Sequence, residues 1–188
     1  MGLLSPSGGK LLLDGVDLHE RANADSLSGW RASVAHVPQN IFLADSSFAE
    51  NIAFSAPEQA IDLVRVRQAA EQAQIAAFIE STPEGYGTFV GERGVRLSGG
   101  QCQRIGIARA LYKQACVIIF DEATSALDSN TEKAVMEAVE GLSRDLTIVI
   151  IAHRLSTVQR CDRVISIENG KVAYTGNPSE IFDEKSFK

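Results

Sequence analysis

The hexapeptide Val117-Ile118-Ile119-Phe120-Asp121-Glu122 sets four apolar residues in front of two adjacent carboxylates. The apolar run predicts a buried central strand over Val117–Phe120. Such a strand delivers whatever follows it to the C-terminal edge of an α/β sheet, where ligands bind. At that edge Asp121 is suited to hold Mg²⁺, directly or through water. Glu122 is suited to orient or deprotonate an attacking water. The plain alternative is an acidic turn after a strand, and six residues alone do not decide between the two.

Leu97-Ser98-Gly99-Gly100-Gln101 carries a second signal. Ser98 and Gln101 have the S-x-x-Q spacing of a capping box, which predicts a helix from about Ser98 to about Tyr112. The same geometry suits an anion, because a helix N-terminus exposes unpaired N–H groups and the favourable end of the dipole. A simple cap does not require glycines in its first turn, where each costs up to about 1 kcal/mol relative to alanine. That cost favours a phosphate contact at the Gly99-Gly100 turn, with the Ser98 hydroxyl as a further donor.

Three further residues sit where chemistry is done. His153 follows the predicted strand Thr147–Ile151, at the sheet edge that also carries Asp121 and Glu122. Asp128 lies in the loop Ser125–Asp128; Ser129 and Glu132 have capping-box spacing for the next helix, which leaves Asp128 for another task. Gln39 follows Val37-Pro38 at the end of the predicted strand Ser33–Val37.

The elements that position these residues are legible from periodicity. Lys10–Leu13 reads as a short strand closed by the Asp14-Gly15 turn. Residues 39–113 are mostly helical, with apolar residues at helical spacing over Ser47–Phe54 and Asp62–Glu80. Pro83–Gly94 reads as a glycine-rich loop. Beyond it a buried strand (Val117–Phe120), a helix (Asn130–Leu142), a second buried strand (Thr147–Ile151), a short helix (Leu155–Arg160) and two strands (Val164–Ile167, Val172–Tyr174) succeed one another. Continuous apolar strands alternating with amphipathic helices predict a mostly parallel α/β sheet covered on both faces, with the middle segment as an inserted helical lobe.

Composition narrows the class. At 188 residues the chain is long enough for one domain with a real core. A net charge of −6 argues against binding to nucleic-acid backbones. The longest apolar stretches, Ala115–Phe120 and Ile148–Ala152, fall far short of the ~20 residues that span a bilayer. No leader pattern opens the chain. The cysteines Cys102, Cys116 and Cys161 form neither a disulfide framework nor a CxxC metal site.

Together these residues resemble the nucleotide-binding domain of an ATP-binding cassette (ABC) protein. Leu97–Gln101 resembles the signature motif, and Val117–Glu122 resembles Walker B with its catalytic glutamate. Ser125–Asp128 resembles the D-loop, His153 the switch histidine and Gln39 the Q-loop glutamine. The resemblance implies a P-loop NTPase-like (RecA-like) fold with an inserted α-helical subdomain. It divides the chain into a remnant of the N-terminal core (1–38), a helical subdomain with Q-loop, X-loop and signature (39–112) and a catalytic core (113–188).

The resemblance also implies ATP as substrate and Mg²⁺ as cofactor. Catalytic roles fall to Glu122, His153 and Gln39, metal contacts to Asp121 and Gln39, and nucleotide contacts to Ser98, Gly99, Gly100, Gln101 and Asp128. The implied partners are a second cassette, head to tail, and a transmembrane domain met through the Q-loop and the X-loop Thr88–Gly94, with no nucleic acid. The implied place is the cytoplasmic side of the inner membrane. Thr88–Gly94, Val37–Leu43 and Glu50–Phe54 are similar to exporter sequences. Ser26–Trp30 and Asn51–Phe54 are similar to exporters of lipid or lipid-linked glycan.

The chain departs from the family pattern in two places. The phosphate-binding spelling G-x-x-x-x-G-K-[ST] is not completed: Gly9-Lys10 and Gly170-Lys171 are followed by Leu11 and Val172, and the first glycine positions hold Leu4 and Ile165. This predicts a cassette cut before its Walker A motif, with the N-terminal part of the core missing and hydrolysis by the isolated chain impaired. Cys102 stands where the family carries a basic residue. A thiol exposed at a helix N-terminus would have a lowered pKa, and the alternative is a tolerated substitution. Two competing classes stay open: a non-catalytic cassette remnant, and a soluble ABC-type ATPase working on DNA or ribosomes.

Overall fold

A computed structural model describes all residues except 1, 3, 20–23, 55–59, 92–96, 124–126, 143–144, 153 and 180–188. The chain forms two compact units, Met1–Ile150 and Ile151–Lys188.

The first unit opens with a hairpin of β1 (Leu12–Leu13) and β2 (Val16–Asp17). Asp14 and Gly15 both take positive φ, 50° and 82°, in the turn between them, the backbone that tight hairpin turns demand. Helix α1 (Ala24–Ser33) follows, where periodicity predicts none. It runs straight into β3 (Val34–Val37), which pairs in parallel with β4 (Val117–Asp121) from Val34↔Val117 to Val37↔Phe120. Strand β5 (Thr147–Ile151) completes a three-stranded sheet in the order β3-β4-β5.

One face of this sheet is the core. Ala35, Val37, Ile118 and Phe120 are buried there. Against them lies α5 (Gly99–Tyr112), buried along most of its length through Gln103, Ile105, Gly106, Ile107, Ala108 and Ala110. Helix α6 (Ser129–Glu140) packs beside α5 through its buried Val135, Met136, Ala138 and Val139.

The expectation of strands buried on both faces needs correction at β5. Ile148 and Ile150 pack against the core, whereas Thr147, Val149 and Ile151 are exposed. Alternation of this kind marks a strand with one covered face; an unbroken apolar run does not reveal it.

The helical lobe comprises α2 (Phe48–Ile52), α3 (Leu63–Gln72) and α4 (Ala76–Glu80). The stretch Asp62–Glu80, read as one helical tract, is two helices. Gln74 takes φ 54° and ends α3, and Ile75 turns back into the core. Asp62 caps α3 by accepting from the Val64 and Arg65 N–H groups. Ser47 and Glu50 form a reciprocal capping box on α2. Phe48 and Phe78 meet edge to face with ring centroids 6.1 Å apart. Truncating a buried aromatic such as Phe48 to alanine costs about 3–5 kcal/mol.

The second unit holds α7 (Leu155–Val158) and a hairpin of β6 (Val164–Glu168) and β7 (Lys171–Gly176), turned at Asn169-Gly170. This pair is antiparallel. Tight hairpins close antiparallel strands, whereas a parallel pair needs a crossover of a dozen residues or more.

Candidate nucleotide site

Parallel pairing brings the ends of β3 and β4 to one edge of the sheet. Pro38 and Gln39 leave that edge from β3; Asp121 and Glu122 leave it from β4. The geometry therefore places Gln39 and the carboxylate pair on adjacent strand ends, a neighbourhood that the apolar runs alone do not fix.

Glu122 takes φ 48°. A left-handed backbone at a non-glycine residue costs of order 1–3 kcal/mol, and such strain gathers at functional sites. Asp121 remains within β4, its side chain 49% exposed. Its carboxylate Oδ2 stands 3.6 Å from His36 Nε2, an ion pair whenever the imidazole is protonated. His36 lies on β3 opposite Ile119, and Ile119 shares its face of β4 with Asp121, which explains the approach. No motif in the sequence singles out His36. Its signal was parity: it lies between the buried Ala35 and Val37, so it points to the other face.

Ser98 is the N-cap of α5. Its side chain accepts from Gln101 N–H at 3.3 Å, while Gln101 Oε1 accepts from Ser98 N–H at 2.8 Å. The predicted capping box is thus present. Ser98 and Gly99 are exposed and Gly100 is buried. The glycines also have a packing reason that the sequence argument missed. A Cβ on Gly100 would come 2.2 Å from Thr131 Cγ2, and one on Gly99 would come 3.0 Å from Leu127 Cδ2. The first turn of α5 therefore lies against the segment that starts α6.

That start also corrects the reading of Asp128. The N-cap of α6 is Asp128, not Ser129. Its carboxylate accepts from the Asn130 and Thr131 N–H groups, each at 3.1 Å, and from Thr131 Oγ1 at 2.5 Å. The Thr131 hydroxyl, then the backbone donors, hold the Asp128 carboxyl below the usual carboxylate range. A single oxygen, Oδ1, takes both N–H groups and leaves Oδ2 for the Thr131 hydroxyl, a set of bonds that one serine hydroxyl cannot match. Of the two readings of Cys102, the exposed thiol with a lowered pKa is the one the structure does not support: the residue is half-buried, and burial pushes its thiol up. His153 lies outside the described residues, as do Glu92–Arg96 and Thr124–Ala126.

The segment between β3 and α2 is irregular, and side chains hold it. Asn51, fully buried, donates to the carbonyls of Ala44 and Ser47 at 3.0 and 3.1 Å, and its Oδ1 accepts from Ala44 N–H at 2.9 Å. Thr88–Val90 of the predicted X-loop closes on the same region through Phe48 N–H to Thr88 O and Val90 N–H to Ser46 O, both 3.1 Å. Phe42 and Phe89 remain exposed.

The donor set fits Mg²⁺ by type. Asp121 and Gln39 offer a carboxylate and an amide oxygen, the hard donors that Mg²⁺ selects. Among the described residues no three His, Cys, Asp or Glu side chains gather into a metal cluster.

A strand edge bearing Gln39, Asp121 and Glu122 and a separate glycine-rich capped helix stand on a parallel α/β sheet with a helical lobe, the class of fold that the comparisons with known proteins identify. The sequence profile of the family described as ABC transporter matches residues 1–125. The chain belongs to the ABC transporter family. It is 41% identical over 179 residues to the ATP-dependent lipid A-core flippase of Ralstonia nicotianae, covering 95% of this chain and 30% of the relative. It is 45% identical over 178 residues to the protein of that name from Alkalilimnicola ehrlichii, covering 95% and 29%. A bacterial Atm1-family ABC exporter solved with ATP bound superposes with a TM-score of 0.81 at 36% identity, covering 96% of this chain and 31% of that one. This chain thus shares the exporter cassette's α/β fold, with a parallel core and a helical subdomain. It spans about a third of the length of these relatives.

The family match overturns one expectation. It begins at the first residue, so the N-terminal segment is part of the family's domain. The reading of the chain as a cassette cut before its Walker A region is therefore corrected. That reading rested on one strict spelling, which Gly9-Lys10 does not complete, whereas family membership is carried by the pattern of the whole segment. Among the described residues no helix is long and apolar enough to cross a membrane.

Proposed function

We propose that this chain is the ATP-hydrolysing cassette of an exporter, powering movement of a lipid or lipid-linked glycan. The observation that carries the reading is the strained Glu122, φ 48°, directly after Asp121 at the strand edge that also delivers Gln39. The similarity to flippases and to an ATP-bound exporter supports the cargo class and the substrate.

Glu122 accepts the proton of the attacking water. Asp121 and Gln39 would hold Mg²⁺, which would supply positive charge against the nucleotide's phosphates. Ser98, Gly99, Gly100 and Gln101, at the positive end of α5, contact a nucleotide held by a second cassette. Asp128 lines the same junction from the start of α6, and His153 contacts the terminal phosphate. Two cassettes pair head to tail. Residues 39–112 form the lobe that meets the membrane domain through Gln39 and Thr88–Gly94, on the cytoplasmic side of the inner membrane.

Glu122→Gln in the full-length protein tests the assignment. It keeps the size and hydrogen-bonding reach of the side chain but removes the base. Retained nucleotide with turnover lowered at least about a hundredfold is expected; turnover at the wild-type rate overturns it.

A further inference from the structure

The register of β3 with β4 ends at Val37↔Phe120, and the next regular element, α2, begins at Phe48. The chain between them carries Gln39 and has no strand ladder to satisfy its carbonyls, which must find partners elsewhere. One stripe of α5 supplies those of Pro38, Gln39 and Phe42.

Gln103 Nε2 donates to Gln39 O at 2.7 Å and to Pro38 O at 3.4 Å. One turn further on, Gly106 admits the loop: a Cβ there would meet Ile41 Cδ1 at 2.5 Å. Arg109 then donates from Nη1 to Phe42 O at 3.1 Å and from Nε to Asn51 O at 2.9 Å. Gln103, Gly106 and Arg109 are spaced i, i+3, i+6, so they share one face of the helix. Gln103 is only 4% exposed, and its Oε1 has no hydrogen-bond partner. A polar side chain is poorly suited to such a place unless its donor end is in use.

We propose that Gln103 is a positioning residue for Gln39. Its amide fixes the Gln39 carbonyl to the helix whose first turn carries Ser98 and Gly99, so the Q-loop glutamine and the signature turn keep one fixed spacing. The inference rests on the role given above to Gln39, through which Gln103 acts.

The test uses the full-length transporter in detergent or liposomes, with Gln103→Leu and Gln39→Ala alone and combined. Gln103→Leu is expected to lower kcat roughly tenfold, with the KM for ATP little changed. Without nucleotide, the amides of residues 39–42 should exchange hydrogen faster than in the wild type, while those of the β6–β7 hairpin do not. In the Gln39→Ala background the loss in kcat should shrink to under about twofold, because the two act as one unit.

A full tenfold loss in that background overturns the proposal, as does wild-type turnover and exchange in Gln103→Leu beside a slow Gln39→Ala. Wild-type turnover in Gln39→Ala removes the role of Gln39 and the positioning inference with it, a result distinguishable from the others. If Gln103→Leu does not fold, Gln103→Asn, which keeps the amide but withdraws it by one methylene, is read by the same criteria.

Discussion

Gly100 and Thr131 approach so closely that a β-carbon on the glycine would lie 2.2 Å from Thr131 Cγ2. The first turn of α5 and the first turn of α6 are therefore in contact at a place where only hydrogen fits. Both turns bear proposed nucleotide residues, Ser98 and Gly99 on one and Asp128 on the other, so their spacing is set by packing before any ligand arrives.

Gly100→Ala is accordingly expected to destabilise the protein by about 1–3 kcal/mol through overpacking, although alanine is the better helix former by up to about 1 kcal/mol. Thr131→Ser removes the offending methyl and keeps the hydroxyl that reaches Asp128. The double variant should recover most of the stability in urea unfolding. Equal destabilisation in the single and double variants would show that the clash lies elsewhere.

Asp128 supplies a pH signature. Its folded-state pKa is lowered, chiefly by the Thr131 hydroxyl. A depressed carboxyl contributes stability above its unfolded pKa of roughly 3.9, and that contribution is lost as the pH falls through the lower folded value. Asp128→Ala should therefore melt below the wild type at about pH 7, and the gap should narrow as the pH falls below the ordinary carboxylate range. Asp128→Asn keeps an oxygen for the cap and should retain most of the stability. If turnover of the full-length Asn variant nevertheless falls, Asp128 has a role beyond capping.

Much of this arrangement was legible before any coordinates. Strands Val117–Asp121 and Thr147–Ile151 and helix Gly99–Tyr112 lie where the apolar runs and the Ser98 capping box put them, because local pattern and global fold agree there. What was hidden depends on contacts distant in sequence. His36 beside Asp121 requires the β3–β4 register. Gly100 against Thr131 requires the α5–α6 approach, and the grip of Gln103 and Arg109 on the Q-loop joins residues more than sixty apart in sequence. The choice of Asp128 over Ser129 as cap was a local decision, but two cap residues in a row made it ambiguous.

Arg109 is the most deeply committed cation among these contacts. Burial lowers its pKa to about 10, so its charge is penalised at neutral pH and the penalty relaxes only above about 10. Two carbonyl bonds and the Phe54 ring, 4.3 Å from the guanidinium carbon, offset that burial. A lysine cannot serve both carbonyls in the same planar geometry. Arg109→Lys should cost about 1–3 kcal/mol, read as a lower urea midpoint with an unchanged slope. A midpoint equal to the wild type would mean that one donor suffices.

Glu122 poses the sharpest opposition between stability and function. Its φ of 48° suits glycine, which adopts this backbone without the Cβ penalty of about 1–2 kcal/mol. Glycine also gives up more chain entropy on folding, about 0.5–1 kcal/mol. Glu122→Gly should therefore abolish hydrolysis by the full-length protein, while any backbone gain, net of the side chain's own contacts, is read in urea unfolding. Glu122→Gln should abolish hydrolysis without that gain, since glutamine keeps the same backbone strain. The pair separates two roles of one residue. If Glu122→Gly is less stable than the wild type, the side chain holds the strand edge together. If it is more stable and inactive, the left-handed backbone is strain retained to place a base beside Asp121.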